Sequence, residues 1–219
     1  MTTERENMPP QNPEDAAPPQ KKTLTDELRR LAFPIIDPIV TLLARFKLSP
    51  DVLTVVGMLA HFILAAFIAT GRMQAAGIGA ILIAPLDALD GSLARKLGRK
   101  QGGFGAFLDS TLDRLAEVIL YGGFIYYYYS TGNTTMLAVA YVAMSGSLLT
   151  SYTRSRAEAL GLSCKVGIMS RVERYVVLIG SLLLNRPDIG LIIIAVGGYI
   201  TFGHRIYHVW RQTAQSEQE

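Results

Sequence analysis

Six apolar runs, at 52–70, 73–85, 118–129, 136–149, 175–184 and 189–202, recur along the chain. Extended into its polar ends, each reaches about 20 residues, the helical length that crosses the hydrocarbon core of a bilayer. Buried helices of a soluble protein would keep a polar face, and most of these runs have none. Half of the residues are hydrophobic, too large a share for an ordinary soluble domain. The expectation is an all-α integral membrane protein with six transmembrane helices over 48–211.

Basic residues sort to one side of this frame. Arg95, Lys96, Arg99 and Lys100 lie between the second and third runs, and Arg154, Arg156, Lys165, Arg171 and Arg174 between the fourth and fifth. Arg205 and Arg211 follow the sixth, whereas the other connections hold only Arg72 and Arg186. Lys and Arg mark cytoplasmic loops, so a multi-pass protein of the cell membrane with both termini in the cytoplasm is expected. Residues 1–22, polar and proline-rich, read as a disordered cytoplasmic tail without a secretory signal, and 212–219 as a polar C-terminal tail. Between tail and first span, the segment 23–47 sets Leu24, Leu28, Leu31, Ile35, Ile39 and Leu42 at helical spacing among polar residues. That is the pattern of an amphipathic helix in the membrane interface, kinked or broken at Pro34 and Pro38. A surface helix packed on the bundle would show the same pattern. His61, the one interruption of the first run, reads as a bundle-facing side chain, and the tyrosines at 126–129 as an interfacial belt. The single Cys164 excludes an intramolecular disulfide. A net charge of +3, with the basic residues accounted for by loops beside a membrane, argues against nucleic acid as a partner.

Against this apolar background the stretch DALDGSLARKLGRKQGGFGAFLDSTLD, 87–113, carries Asp87, Asp90, Asp109 and Asp113. Asp87 and Asp90 share one helical face, as do Asp109 and Asp113. If the two helices are antiparallel neighbours joined by the short glycine-rich loop, all four carboxylates converge at one depth. Four such groups repel one another unless cations intervene, and nearby Lys and Arg could supply them. Ionisable residues in a span nevertheless point first to function. Carboxylates alone suit a hard divalent ion, Mg²⁺ or Mn²⁺, and four can hold two ions, a recurring device for phosphoryl displacement. Gly91 and Ala94 leave room for a bulky group close to the backbone.

The same residues, written Asp87-x2-Asp90-Gly91-x2-Ala94-Arg95-x9-Gly105-x3-Asp109-x3-Asp113, resemble the signature of the CDP-alcohol phosphatidyltransferases. The spacer after Arg95 is one residue longer than is common there. Pro50-Asp51-Val52-Leu53-Thr54 resembles the family's Pro-Asn/Asp-x-x-Thr element, and the likeness extends over residues 24–211. It implies transfer of a phosphatidyl group from CDP-diacylglycerol to an alcohol, with release of CMP. It also implies roles for residues. Asp87, Asp90 and Asp109 are metal ligands. Asp113 is the general base and a further ligand. Gly91 and Arg95 contact the nucleotide, with Asp51 and Thr54 lining the same pocket. Dimers are usual in the family, although this sequence leaves oligomeric state open.

For the acceptor, arginines at several helix ends make a fitting phosphate pocket, though positive-inside charge needs no substrate. Ser151-Tyr152-Thr153-Arg154-Ser155-Arg156-Ala157-Glu158, Arg171-Val172-Glu173-Arg174 and His204-Arg205 are similar to segments of bacterial phosphatidylinositol phosphate synthases. The likeness assigns the acceptor phosphate to Arg156, Arg174 and Arg205, with Arg154 and Arg171 nearby. Arg154 is shifted by one place, Ser170 and Val172 stand for Glu and Pro, and His204 for Gln. The expected acceptor is inositol 1-phosphate, with glycerol 3-phosphate as the rival. A membrane transporter is the alternative from another class. It would show internal repeats or broken helices at the midplane, and neither is visible.

Overall fold

A computed structural model describes residues 37–46, 48–99 and 103–216, without the side chains of Asp87 and Ser216. The tail at 1–22 and residues 23–36 of the amphipathic segment lie outside the described residues. Helix α1 covers 37–45. It is followed by α2 (Pro50–Ala69), α3 (Met73–Lys96), α4 (Phe104–Ser130), α5 (Thr134–Ala159), α6 (Arg171–Leu183) and α7 (Pro187–Ser216). The described residues contain no strand. Helix α7 continues through Ser216, into the stretch read as the C-terminal tail.

The hairpin turns are set by left-handed residues just past the helix ends. Gly71 closes α2 at φ 75° and Gly132 closes α4 at φ 72°. A side chain is strained there, and glycine is not. The turn after α2 is then completed by Arg72 N–H donating to the Phe67 carbonyl at 2.8 Å.

Helices α2, α3, α6, α7, α5 and α4 close into a ring in that order, each packed on the next and α4 returning to α2. Thus α3 and α4, the helices bearing the two aspartate pairs, are not packed side by side as the sequence suggested: α2 lies between them. Glycines make this possible. A methyl group at Gly123 of α4 would sit 2.7 Å from the Ala65 carbonyl oxygen of α2, and one at Gly79 of α3 would sit 2.6 Å from a Leu64 methyl. Close backbone approach through small residues is how helices associate where lipid removes the hydrophobic drive. Leu64, Ile68, Leu120, Phe124, Leu182, Leu191 and Ile194 fill the centre.

Helix α2 is apolar both inside and outside. Gly57, His61, Leu64 and Ile68 face the bundle, while Val52, Val56, Leu59 and Ile63 are exposed one helical face away. Helix α7 repeats this, with Leu191, Ile194 and Ala195 inside and Ile189, Ile192, Val196 and Ile200 outside. A helix of that kind is solvated by lipid. Helices α2, α3, α5 and α7 are each long and apolar enough to cross a membrane. Helix α6, with 13 residues, falls short; at the α-helical rise it measures about 20 Å. Helix α4 spends its first turns on Asp109, Asp113, Arg114 and Glu117. The architecture is that of a multi-pass membrane protein.

Helix α1 lies against α3. Val40 is buried with Leu89 and Leu93, and Leu43 and Ala44 pack on the same cluster. Lys96 pairs with Asp37 at 3.3 Å across this contact. Ile39, Leu42 and Phe46 point away from the bundle and are exposed. The described part of the amphipathic segment is therefore apolar on two sides, one docked and one open.

Candidate active site

Because successive helices run antiparallel, α2, α4 and α6 begin at the end of the bundle where α3, α5 and α7 finish. Both aspartate pairs and all the arginines assigned from the sequence lie at this end. The chemistry falls into two groups.

The first surrounds the start of α2. Thr54 Oγ1 donates to Asp90 Oδ2 at 2.7 Å, and Asp90 is only 4% exposed. Asp51, in the first turn of α2, accepts from Arg99 Nη1 at 2.7 Å on each oxygen, while Arg99 Nη2 donates to Ser49 Oγ at 3.0 Å. Two signature glycines can be read physically. A methyl at Gly105 would lie 3.1 Å from Asp51 Oδ1, so the bare backbone lets α4 start close to α2. A methyl at Gly91 would meet only Arg95 Nη1, at an ordinary 3.6 Å. Internal packing therefore does not require glycine there, and the open space suits a ligand. Arg95 is exposed and donates to Ser92 Oγ at 2.9 Å.

The second group lines a cavity of about 490 Å³ among α4, α5, the start of α6 and the later part of α7. Helix α4 contributes Ser110, Asp113, Arg114 and Glu117, and α5 contributes Ser151, Arg154, Ser155 and Glu158. Both sets follow the i, i+3, i+4, i+7 stripe of one helical face. Ser170, Arg171, Val172 and Arg205 complete the wall. Arg171 spans Asp113, with Nη2 donating to Oδ1 at 2.6 Å and Nη1 paired with Oδ2. Arg154 pairs with Glu158 one turn on, at 2.8 Å. Arg114 donates to the Ser110 carbonyl and to Ser155 Oγ.

Two arginines are held far more firmly. Arg174, 2% exposed, gives Glu117 Oε1 two hydrogen bonds at 2.8 and 3.2 Å, and reaches Ser151 Oγ and the Met169 carbonyl. Arg205, 3% exposed, donates to the Val166 carbonyl at 2.9 Å and to that of Thr150. Its hydrogen-bond partners are neutral, so a buried positive charge faces the cavity without a carboxylate bonded to it.

The sequence-assigned acceptor residues thus separate. Arg154, Arg171 and Arg205 share one cavity with Asp113, Arg174 lies behind its wall, and Arg156 is exposed and not part of the lining. Thr54 supports Asp90. Ser110, Arg114 and Glu117 were not singled out, although the polar stripe on α4 was there to be read, and Arg99 was read only as loop charge. Among the described residues no three acidic, His or Cys side chains come together closely enough to hold a cation. Asp87, whose side chain is not described, would be the fourth of the set. The donor chemistry fits a hard divalent ion: carboxylates alone, one of them fixed by Thr54, beside an open glycine.

A family model described as CDP-alcohol phosphatidyltransferase matches residues 47–203. An archaetidylinositol phosphate synthase of Methanothermobacter thermautotrophicus is 36% identical over 204 residues, covering 89% of this chain and 98% of that protein. A phosphatidylinositol phosphate synthase of Streptomyces avermitilis is 33% identical over 219 residues, with 92% and 89% covered. The crystal structure of Mycobacterium tuberculosis phosphatidylinositol phosphate synthase with CDP-DAG bound superposes at TM-score 0.76 and 28% identity, over 81% of this chain and 94% of that one. The same protein in complex with manganese and citrate gives 0.74 at 28% identity, over 79% and 88%. The family match runs through both aspartate pairs and most of the helical ring, and the chain belongs to the CDP-alcohol phosphatidyltransferase family of enzymes.

Proposed function

We propose that the protein transfers the phosphatidyl group of CDP-diacylglycerol to inositol 1-phosphate, releasing CMP. The observation that carries the acceptor is the cavity beside Asp113. Arg205 brings a buried charge bonded only to neutral carbonyls, and an anion completes such a site. Around it stand Ser110, Ser151, Ser155 and Ser170 with Glu117 and Glu158, a set suited to several hydroxyl groups on one phosphorylated molecule. Relatives named for two different lipids, archaetidyl and phosphatidyl, share inositol phosphate in their names. A solved relative holds CDP-DAG, and the same relative was crystallised with manganese.

Asp87, Asp90 and Asp109, with Asp113 as a further ligand, are the residues that would hold two divalent ions, Mg²⁺ or Mn²⁺. Bound there, the ions would offset negative charge on the pyrophosphate of the donor. Thr54 holds Asp90 in one orientation. Gly91 leaves space for the nucleotide, and Arg95 stands one turn further on to contact it; Asp51, braced by Arg99, lines the same region. Arg154, Arg171 and Arg205 take the acceptor phosphate, and Asp113 takes the proton of the attacking hydroxyl. Six helices, α2 to α7, lie in the cell membrane, α6 too short at 13 residues to span it unaided, with the amphipathic segment at the interface and both termini and the site in the cytoplasm.

The test is CMP release by the purified full chain, given CDP-diacylglycerol and Mg²⁺ with inositol 1-phosphate, glycerol 3-phosphate, free inositol or serine supplied singly. Release with inositol 1-phosphate alone, abolished by a chelator, is the expected result. Release with glycerol 3-phosphate alone would overturn the acceptor and keep the mechanism.

A further inference from the structure

Asp113 lines the acceptor cavity, but it is covered. Arg171, the first residue of α6, lies across both carboxylate oxygens. A guanidinium fork laid on a carboxylate in this way occupies the lone pairs that point toward it. A hydroxyl arriving in the cavity then has no oxygen of Asp113 free on that side to receive its proton. The cover can also be reached from outside the bundle. The Arg171 side chain is 42% exposed and that of Asp113 14%. The pair is two-pronged and holds until another anion offers the guanidinium an equivalent two-oxygen partner. Arg174 and Arg205, by contrast, are buried and tied to several neighbours each. Arg171 is the cavity arginine that both covers the proposed base and presents an open side to an incoming anion.

We propose that Arg171 makes the acceptor's phosphate the key to Asp113, so that phosphorylated alcohols react while water and unphosphorylated alcohols do not. The inference rests on the transferase reading above. A phosphate entering the cavity offers the Arg171 fork two oxygens at the spacing it already uses on Asp113. The guanidinium exchanges carboxylate for phosphate, and Asp113 is uncovered with a hydroxyl of the same molecule beside it. The O–H proton passes to Asp113, and the oxygen's electron pair forms the new bond to the lipid-side phosphorus. The bond from that phosphorus to the CMP oxygen breaks, and its electrons leave with CMP. Were water to react in the alcohol's place, the products would be phosphatidate and CMP, a loss of activated donor that a covered Asp113 suppresses. Binding energy from a remote, non-reacting group is thereby spent on assembling the reacting one.

The experiment supplies the acceptor in two pieces. Wild-type protein and R171A, full-length and in lipid nanodiscs with CDP-diacylglycerol and Mg²⁺, receive no acceptor, free inositol, free inositol with inorganic phosphite, or inositol 1-phosphate. In the wild type, phosphite should raise CMP release with free inositol on the order of tenfold, because the dianion draws Arg171 away. In R171A, acceptor-free CMP release should rise by a similar factor and the response to phosphite should vanish. R171K, a cation without the fork, should fall between the two. Absence of phosphite activation in the wild type overturns the proposal without reference to any variant. Acceptor-free release by folded R171A no higher than that of the wild type overturns it also, and would leave Arg171 as a phosphate ligand only. Failure of the wild type to release CMP with inositol 1-phosphate is a separate result, which removes the acceptor assignment on which the proposal stands.

Discussion

At one end of the ring, residues 70–72, 131–133 and 184–186 join helices through tight turns closed by backbone hydrogen bonds. At the other, the connections 97–103 and 160–170 are longer, and α3, α4, α5 and α6 carry charged side chains into the bundle. The pairs Arg99–Asp51, Arg154–Glu158, Arg171–Asp113 and Arg174–Glu117 all lie there, while Arg186–Asp188 lies at the hairpin end. Backbone closes one end, and side-chain ion pairs, some exposed and one buried, close the other. Substitutions should therefore divide the molecule, with the hairpin end indifferent in function and the polar end split between residues that react and residues that hold shape.

The largest effect should come from Asp113→Asn. It preserves volume at a covered carboxylate, so the fold should survive while kcat falls roughly 10²–10⁴-fold, the usual contribution of a general base. Near-normal CMP release by this variant would dissolve the division at its centre. Glu117→Ala tests the opposite kind of polar-end residue. It strands Arg174 as a buried charge, and loss of one partner of such a pair costs about 3–5 kcal/mol. Thermal unfolding in detergent should show a sharp drop, with Glu117→Gln milder. An unchanged melting curve would mean that the Arg174–Glu117 pair is as replaceable as a surface one. Thr54→Val keeps the shape and removes the hydrogen bond to Asp90. Supporting partners of this kind are worth about 10–100-fold in metal affinity, so Mg²⁺ titration of activity should shift by such a factor with little change in stability. The smallest effect belongs to the hairpin end. Arg186→Ala removes an exposed pair far from the cavity and should leave CMP release unaltered; a marked loss would show that the two ends are coupled.

The aspartates, their spacing and the helical count of the core were open to sequence reading because each depends on residues close together in the chain. Period and spacing say which side chains share a helical face. They do not say which helix lies opposite. That depended on Gly123 and Gly79, which admit α2 between α3 and α4, and nothing in the pattern of either glycine names Ala65 or Leu64 as its neighbour. The same limit explains the arginines. Arg154 and Arg156 look alike in sequence, yet the α5 stripe Ser151–Arg154–Ser155–Glu158 turns Arg154 into the cavity and leaves Arg156 off it. Arg114 and Glu117 were overlooked for a related reason. Beside the signature aspartates they read as ordinary charged helix residues, and only Ser155 and Arg174, brought in by other helices, give them a place.

The order of the ring also bears on how the enzyme comes into being. Helices α6 and α7, made after the other four, must slot between α3 and α5, which leave the ribosome earlier and do not close on each other. Until that final hairpin arrives, the cavity lacks Ser170, Arg171 and Arg205 together. A nascent chain stalled after α5 could already hold the signature aspartates in the membrane, yet would have neither the cover on Asp113 nor a floor for the acceptor. Arrival of α6 and α7 is in this sense the enzyme's first activation step.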